Sequence, residues 1–251
     1  MRVPGTTSLP VRGWRCLCFG LHFVYMSLGT ALLYPIVNPA QRLRFRQRWS
    51  LRLLSLLAVQ IETAPFTAPP GCLIVANHIS WLDIFAINAV RPSAFIAKSE
   101  VRRWPFIGWL SARNDTIFLR RGSHGHAREI NAEIKAWLNA GRDIALFPEG
   151  TTTDGTHLRP FHAALLQPAI ETRRPILPLA LSYLDSKGNP SQAPSYAGET
   201  TLLQCFAAIL SARSLVVRIQ PCTVIESAGK TRREVCGNAH AAISGILSQK
   251  D

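Results

Sequence analysis

Apolar residues are distributed along this chain in two ways, and the change comes near residue 62. Before it, they form long runs. From Cys16 to Val37 the stretch CLCFGLHFVYMSLGTALLYPIV contains no Asp, Glu, Lys or Arg, and as a helix it is long enough for the ~30 Å hydrocarbon layer of a bilayer. Arg2, Arg12 and Arg15 precede the run, and Arg42, Arg44, Arg46, Arg48 and Arg52 follow it. With both flanks basic, the positive-inside rule gives no clear crossing, and a helix that dips into one leaflet and returns fits as well as a span. Pro35 and Pro39 suit the turn of such a hairpin, with LRLLSLLAVQI, residues 51–61, as its returning helix.

After the low-charge link ETAPFTAPPG, residues 62–71, short apolar runs alternate with helical stretches. Residues 72–76, 93–97, 116–119, 143–147, 176–181 and 215–219 read as strands. The clearest helix covers 126–140, where Ile130, Ile134, Trp137 and Leu138 recur on one face and Gly141 supplies the stop. The alternation predicts an α/β fold with a mixed, mostly parallel sheet flanked by helices. Residues 1–61 are expected to be a membrane-associated helical segment and 62–251 the α/β domain. The sequence assigns no role to the polar excursion LDSKGNPSQAPSYAGE, residues 184–199.

Charge adds a partner to this picture. Lys and Arg total 28 against 15 Asp and Glu, a formal charge of +13, while 47% hydrophobic content over 251 residues is ample for a core. Such a balance suits nucleic acid, a phosphorylated small molecule or an anionic membrane surface. The apolar N-terminus favours the membrane over nucleic acid. A cleaved signal peptide ranks lower, because the run is long and a cytosolic type of enzyme follows it. Six cysteines without C-x-x-C or metal-ligand spacing read as reduced, scattered thiols, so no metal site is expected.

Candidate chemistry centres on VANHISWLDI, residues 75–84. With a strand ending near Ala76 and Ser80 as helix N-cap, Asp83 falls at N3 and its carboxylate reaches back towards His78. A plain capping box, with His78 an incidental turn residue, explains the same pattern. A histidine held by a carboxylate has one nitrogen fixed as donor and the other available as a general base. The chain has no G-x-S-x-G elbow, so the nucleophile is better sought on the substrate. In LFPEGTTTDGT, residues 146–156, Glu149, Gly150 and Thr151 follow a strand in a turn-like order. Lys98 and Arg121 stand at or beside strand ends, where they bind phosphate or serve as ordinary surface charge.

In order and spacing these pieces resemble the glycerolphosphate/lysophospholipid acyltransferase family, and most closely its bacterial 1-acylglycerol-3-phosphate acyltransferases. Asn77, His78 and Asp83 match N-H-x-x-x-x-D. Lys98, Glu100, Pro105, Gly108, IFL (117–119) and Arg121 match the second block, 147–151 match F-P-E-G-T in full, and ILPLAL around Pro178 matches the fourth. The resemblance covers about residues 70 to 185. Where many members carry glycine before the strand of the second block, this chain has RND, 113–115, with Asn114 able to take a left-handed turn.

The resemblance implies that His78 deprotonates the hydroxyl of a lysophospholipid or glycerol phosphate, which attacks the thioester of acyl carrier protein or acyl-coenzyme A directly. Asp83 orients His78, while Lys98, Arg121, Glu149, Gly150 and Thr151 bind substrate. No cofactor or metal is called for. Lysophosphatidic acid is the expected acceptor, at its 2-hydroxyl, in phospholipid biosynthesis; lyso-ornithine lipid is the alternative, and a non-catalytic membrane-surface binding protein the remaining one. Both thioester donors are cytosolic, which puts the catalytic domain on the cytoplasmic face of the inner or another membrane, its charge facing anionic lipid and acidic carrier protein.

Overall fold

The computed structural model of the chain describes residues 6–119 and 124–249. It begins with a helical hairpin. α1 (Leu9–Leu32) is apolar and long enough, by length and composition, to cross a membrane. Asn38 opens α2 (Pro39–Leu56) with a capping box: its side chain accepts from the Gln41 N–H at 2.9 Å, and the Gln41 side chain accepts from the Asn38 N–H at 3.0 Å. The helices close on Trp49, which stacks on Tyr34 at 5.7 Å and 7°. A Cβ on Gly29 would lie 2.7 Å from the Trp49 ring, so glycine is what allows this approach. The opposite face of α1, including Trp14, Leu17, Leu21, Val24, Leu28 and Leu32, is exposed.

The expected returning helix over 51–61 is helical only to Leu56. Ala58 takes a positive φ of 54°, which ends the helix, and Val59–Thr63 is instead a strand, β1. Its backbone groups pair in parallel with residues 215–219 far along the chain. The sheet therefore starts inside the segment assigned to residues 1–61. Leu53, Leu54 and Leu57 also belong to the main apolar core, so hairpin and domain share one interior.

The remaining elements follow the α/β alternation: β2 (Leu73–Ala76), α3 (Leu82–Val90), β3 (Ala94–Lys98), α4 (Ile107–Arg113), β4 (Thr116–Leu119), α5 (His124–Asn139), β5 (Ile144–Leu146), α6 (Gln167–Glu171), β6 (Ile176–Asp185), α7 (Leu202–Ser211), β7 (Leu215–Pro221) and α8 (Arg232–Ser248). All six expected strands are present. They form one sheet with β1 in the order β1-β7-β6-β2-β5-β3-β4, parallel throughout except between β6 and β7. Helices cover both faces, so β2 is buried on each side: Ile74 and Ala76 pack in the core with α2, α3 and α7, and Leu73 and Val75 in the core with α5 and α8.

An ion pair between a buried arginine and a half-buried aspartate ties the hairpin to the sheet. The left-handed residue before β4 is Asp115, with φ 61°, and not Asn114, whose φ is −101°. Asp tolerates this conformation, and here its carboxylate is bound at 2.7 Å by both Arg46 and Arg142. Arg46 is buried and also donates to the Ser93 carbonyl at 2.9 Å. Asn114 serves differently, accepting from the Tyr34 hydroxyl at 2.7 Å.

Burial pushes the Asp115 carboxyl up, but Arg46 and Arg142 more than reverse it and leave it below its ordinary value. A carboxyl depressed in the folded state stabilises above its unfolded pKa and loses that contribution as pH falls through the folded value. Arg46→Ala is expected to destabilise the protein by about 2 kcal/mol at neutral pH, the loss of charge-assisted hydrogen bonds to a half-buried carboxylate that keeps Arg142. The gap in melting temperature between the two proteins should narrow below pH 3.8, the ordinary Asp value. A gap that stays constant would assign the effect to lost packing and the Ser93 contact.

Candidate active site

β2, β5 and β3 lie side by side and run parallel, so the segments leaving their C-terminal ends share one edge of the sheet. Asn77 fastens the first of these. Its side-chain nitrogen donates to the Leu181 carbonyl at 2.9 Å and its oxygen accepts from the Leu181 N–H at 2.7 Å. The side chain thus extends the β2–β6 ladder one step after the backbone has left it.

The backbone then turns at His78. Its Nδ1 lies 2.8 Å from Asp83 Oδ2. The same oxygen accepts from the Ile79 and Ser80 N–H groups at 2.7 and 2.9 Å, and Oδ1 accepts from the Tyr183 hydroxyl at 2.7 Å. Ser80 Oγ in turn accepts from the Leu82 N–H at 3.3 Å. Asp83 thus grips His78 and the amides that lead into the helix with one carboxylate. Ser80 is not the N-cap expected from the sequence: α3 begins at Leu82 with Trp81 at that position, which puts Asp83 at N2, and the Ser80 hydroxyl meets the Leu82 amide without closing a capping box. With three other donors already aimed at it, the carboxylate acts as acceptor, which assigns the proton of the neutral ring to Nδ1 and leaves Nε2 as the acceptor. Burial and the Asp83 charge push the Tyr183 phenol well above its ordinary range, so Tyr183 keeps the proton it donates.

The environment divides the two partners. Asp83 is 0% exposed, whereas the His78 side chain keeps 18%. The imidazole stacks on Phe147, with centroids 3.8 Å apart and planes within 7°, and Phe95 backs Phe147 at 6.0 Å. One ring face is thereby occupied, and the Nε2 edge is directed away from Asp83.

Glu149 is buried, and both its oxygens are taken by backbone: Oε1 by the His78 N–H at 2.8 Å and Oε2 by the Arg159 N–H at 2.9 Å. Burial pushes its carboxyl up, with these amides pulling in the opposite direction. Its contacts position the His78 turn. Gly150 has φ 69°, where glycine is at ease, and Thr151 is half-buried in the same turn. Lys98 is exposed at the end of β3 on this edge. Arg121 lies outside the described residues.

Comparison with known proteins bears on what such a site does. The profile of a family described as Acyltransferase matches residues 59–182. A lyso-ornithine lipid O-acyltransferase of Pseudomonas aeruginosa is 38% identical over 219 residues, 87% of this chain and 84% of that protein. The chain belongs to the lysophospholipid acyltransferase family. A second relative of this acyltransferase, a 1-acyl-sn-glycerol-3-phosphate acyltransferase of Neisseria meningitidis, is 41% identical over 160 residues, 64% of this chain and 62% of that protein. The acyltransferase fold is shared with the crystal structure of a 1-acyl-sn-glycerophosphate acyltransferase from Thermotoga maritima, at 19% identity with a TM-score of 0.67, over 95% of this chain and 98% of that one.

Three members of the site were not read from sequence as parts of it. Asn77 and Phe147 stood in the motifs without a role, and Tyr183 stood in neither. Only the polar group at Tyr183, inside the apolar run of β6, hinted that it needed a buried partner.

His78→Ala is expected to lower kcat by ~10²–10⁴-fold with melting temperature preserved; near-normal turnover would remove His78 from the reaction. Glu149→Ala should instead lower both, since two amides would lose their acceptor at about 1–3 kcal/mol each if left dry. Tyr183→Phe separates orientation from contact with substrate. Its kcat should fall by about tenfold with KM unchanged, as expected for a residue acting only through Asp83.

Proposed function

We propose that this acyltransferase moves a fatty acyl group from an acyl thioester to the 2-hydroxyl of 1-acyl-sn-glycerol 3-phosphate, forming phosphatidic acid. The observation that carries the reading is the His78 imidazole, gripped at Nδ1 by a buried carboxylate and open at Nε2. Among the described residues, no serine, threonine or cysteine side chain is hydrogen-bonded to that ring, which favours direct attack by the acceptor over an acyl-enzyme. Nε2 takes the proton of the acceptor hydroxyl as its oxygen bonds to the thioester carbonyl carbon. When the C–S bond breaks, the same proton is returned to the departing sulfur. Asp83 stabilises the imidazolium that forms between the two steps.

The donor is acyl carrier protein or coenzyme A thioester, and no further cofactor takes part. The acceptor is drawn from the bilayer, where α1 lies with its exposed apolar face in lipid and the exposed arginines of α2, Arg44, Arg48 and Arg52, among anionic headgroups; Arg46, expected among them, is instead buried on Asp115. Cytosolic donors put the catalytic edge on the cytoplasmic side of the membrane. Phosphate on the acceptor suits Lys98 and Arg121, which flank the β3–β4 region of the chain.

A second reading, acylation of lyso-ornithine lipid, is favoured by the longer extent of the match to the Pseudomonas protein, 219 residues against 160. The two are separated with the purified full chain in phosphatidylglycerol-containing vesicles, an acyl thioester donor and each acceptor in turn. Lysophosphatidate should show the higher kcat/KM by about tenfold or more, and Arg121→Ala should raise its KM more than that of the donor. The reverse acceptor order would select lyso-ornithine lipid. Undetectable thiol release with either would leave a binding protein without catalysis.

A further inference from the structure

Directly after Lys98 the chain makes a 3₁₀ turn (Ser99–Arg103) and passes through Trp104, Pro105 and Phe106 into α4. Phe106 sits at φ 59°, ψ −52°, and the Ile107 N–H bonds back to the Pro105 carbonyl at 2.6 Å. This is a γ-turn of the strained hand, costly for a residue with a side chain and kept only where its surroundings enforce it. The enforcement is visible on the C-terminal side. A Cβ on Gly108 would lie 2.2 Å from the Arg102 carbonyl oxygen, so glycine alone allows α4 to start against the 3₁₀ turn. One turn later, Leu110 is buried with Met26, Tyr34 and Trp49 of the hairpin.

What this rigid loop presents to its surroundings is apolar and basic. Phe106 is 72% exposed, Trp104 42% and Trp109 38%, and Arg102 and Arg103 beside them are exposed as well. Water rewards none of this: a strained backbone holds a phenyl ring outward in a segment that also exposes two indoles. A bilayer boundary does reward it, with the phenyl ring among acyl chains, indoles at headgroup level and guanidinium groups on phosphates. The contact of Leu110 with Met26 and Tyr34 also ties the loop to the hairpin, whose α1 exposes an apolar face of its own.

We propose that residues 102–109 form a second membrane contact of this acyltransferase, specific for an anionic phospholipid surface and separate from α1. Because the loop leaves β3 at Lys98, its insertion brings the sheet edge that carries His78 down to the headgroup plane. The binding half of the proposal stands on the loop alone. Its catalytic benefit rests on the acceptor reading given above.

Two measurements on the full chain test the halves apart. In the first, Trp104→Phe/Trp109→Phe is compared with the unmodified protein on vesicles of phosphatidylglycerol and brominated phosphatidylcholine. The difference in emission, which belongs to these two indoles, should be blue-shifted and strongly quenched by the brominated lipid. Unquenched emission overturns the proposal and leaves a protein partner or a second copy of the chain as the occupant. In the second, Trp104→Ser/Phe106→Ser is assayed with long-chain acceptor in vesicles and with the same acceptor in detergent micelles. Activity on vesicles should fall about tenfold while activity in micelles is unchanged. An equal loss in both, or no loss in either, overturns the catalytic half, and inactivity of the unmodified protein on that acceptor would refute the acceptor reading while the quenching result stands.

Discussion

A single buried carboxylate organises the catalytic edge. Asp83 has no exposure and accepts from an imidazole, two backbone amides and a phenol, using both of its oxygens. A buried carboxylate is costly unless its lone pairs are filled, and here every donor that fills them also holds a part of the site. The amides of Ile79 and Ser80 fix the turn, the ring of His78 is fixed in rotation and tautomer, and Tyr183 anchors the carboxylate to the middle of the sheet. Turn, ring and sheet anchor thus meet in one group, so in catalysis the pieces are expected to act as a unit.

Around this centre the loops satisfy one another's backbone. The His78 carbonyl accepts from the Thr153 N–H at 2.8 Å and the Ile79 carbonyl from the Tyr196 N–H at 3.0 Å, while the Thr152 hydroxyl donates to the Tyr196 carbonyl. The excursion over 184–199, whose role the sequence left open, is thus a third strap on the His78 turn, alongside Glu149 Oε1 and the Thr153 amide. A buried turn that makes no regular ladder needs such external partners for its polar groups. They also give the turn little freedom to move when a substrate enters.

How much of this was legible depended on the range of the interaction. The six strands were readable because each is a short apolar run bounded by polar or turn residues, and the His78–Asp83 contact because it spans only five residues across a helix start. β1 was not readable: residues 51–61 are almost continuously apolar, and the switch at Ala58 from helix to strand is dictated by pairing with β7. Asp115 was missed as the left-handed residue because its reward comes from Arg46 and Arg142, distant in sequence. That both Glu149 oxygens accept from backbone was not readable either, because a carboxylate's direction is set by which amides surround it, and Arg159 and His78 come from separate loops.

The placement of β1 has a consequence for how the chain comes to be folded. The strand follows the apolar hairpin and precedes every other strand, yet its one neighbour is β7, the last strand of the sheet. During synthesis the N-terminal helices therefore emerge well before the edge to which they are joined exists, and closure of that edge waits for a contact of long sequence separation. Until then β1 carries unpaired amides and carbonyls beside a hairpin whose first helix exposes an apolar face, a combination prone to association with other chains. Early capture of the hairpin by another apolar phase would shorten that exposed interval, so the hairpin's surface serves the folding chain as well as the finished one.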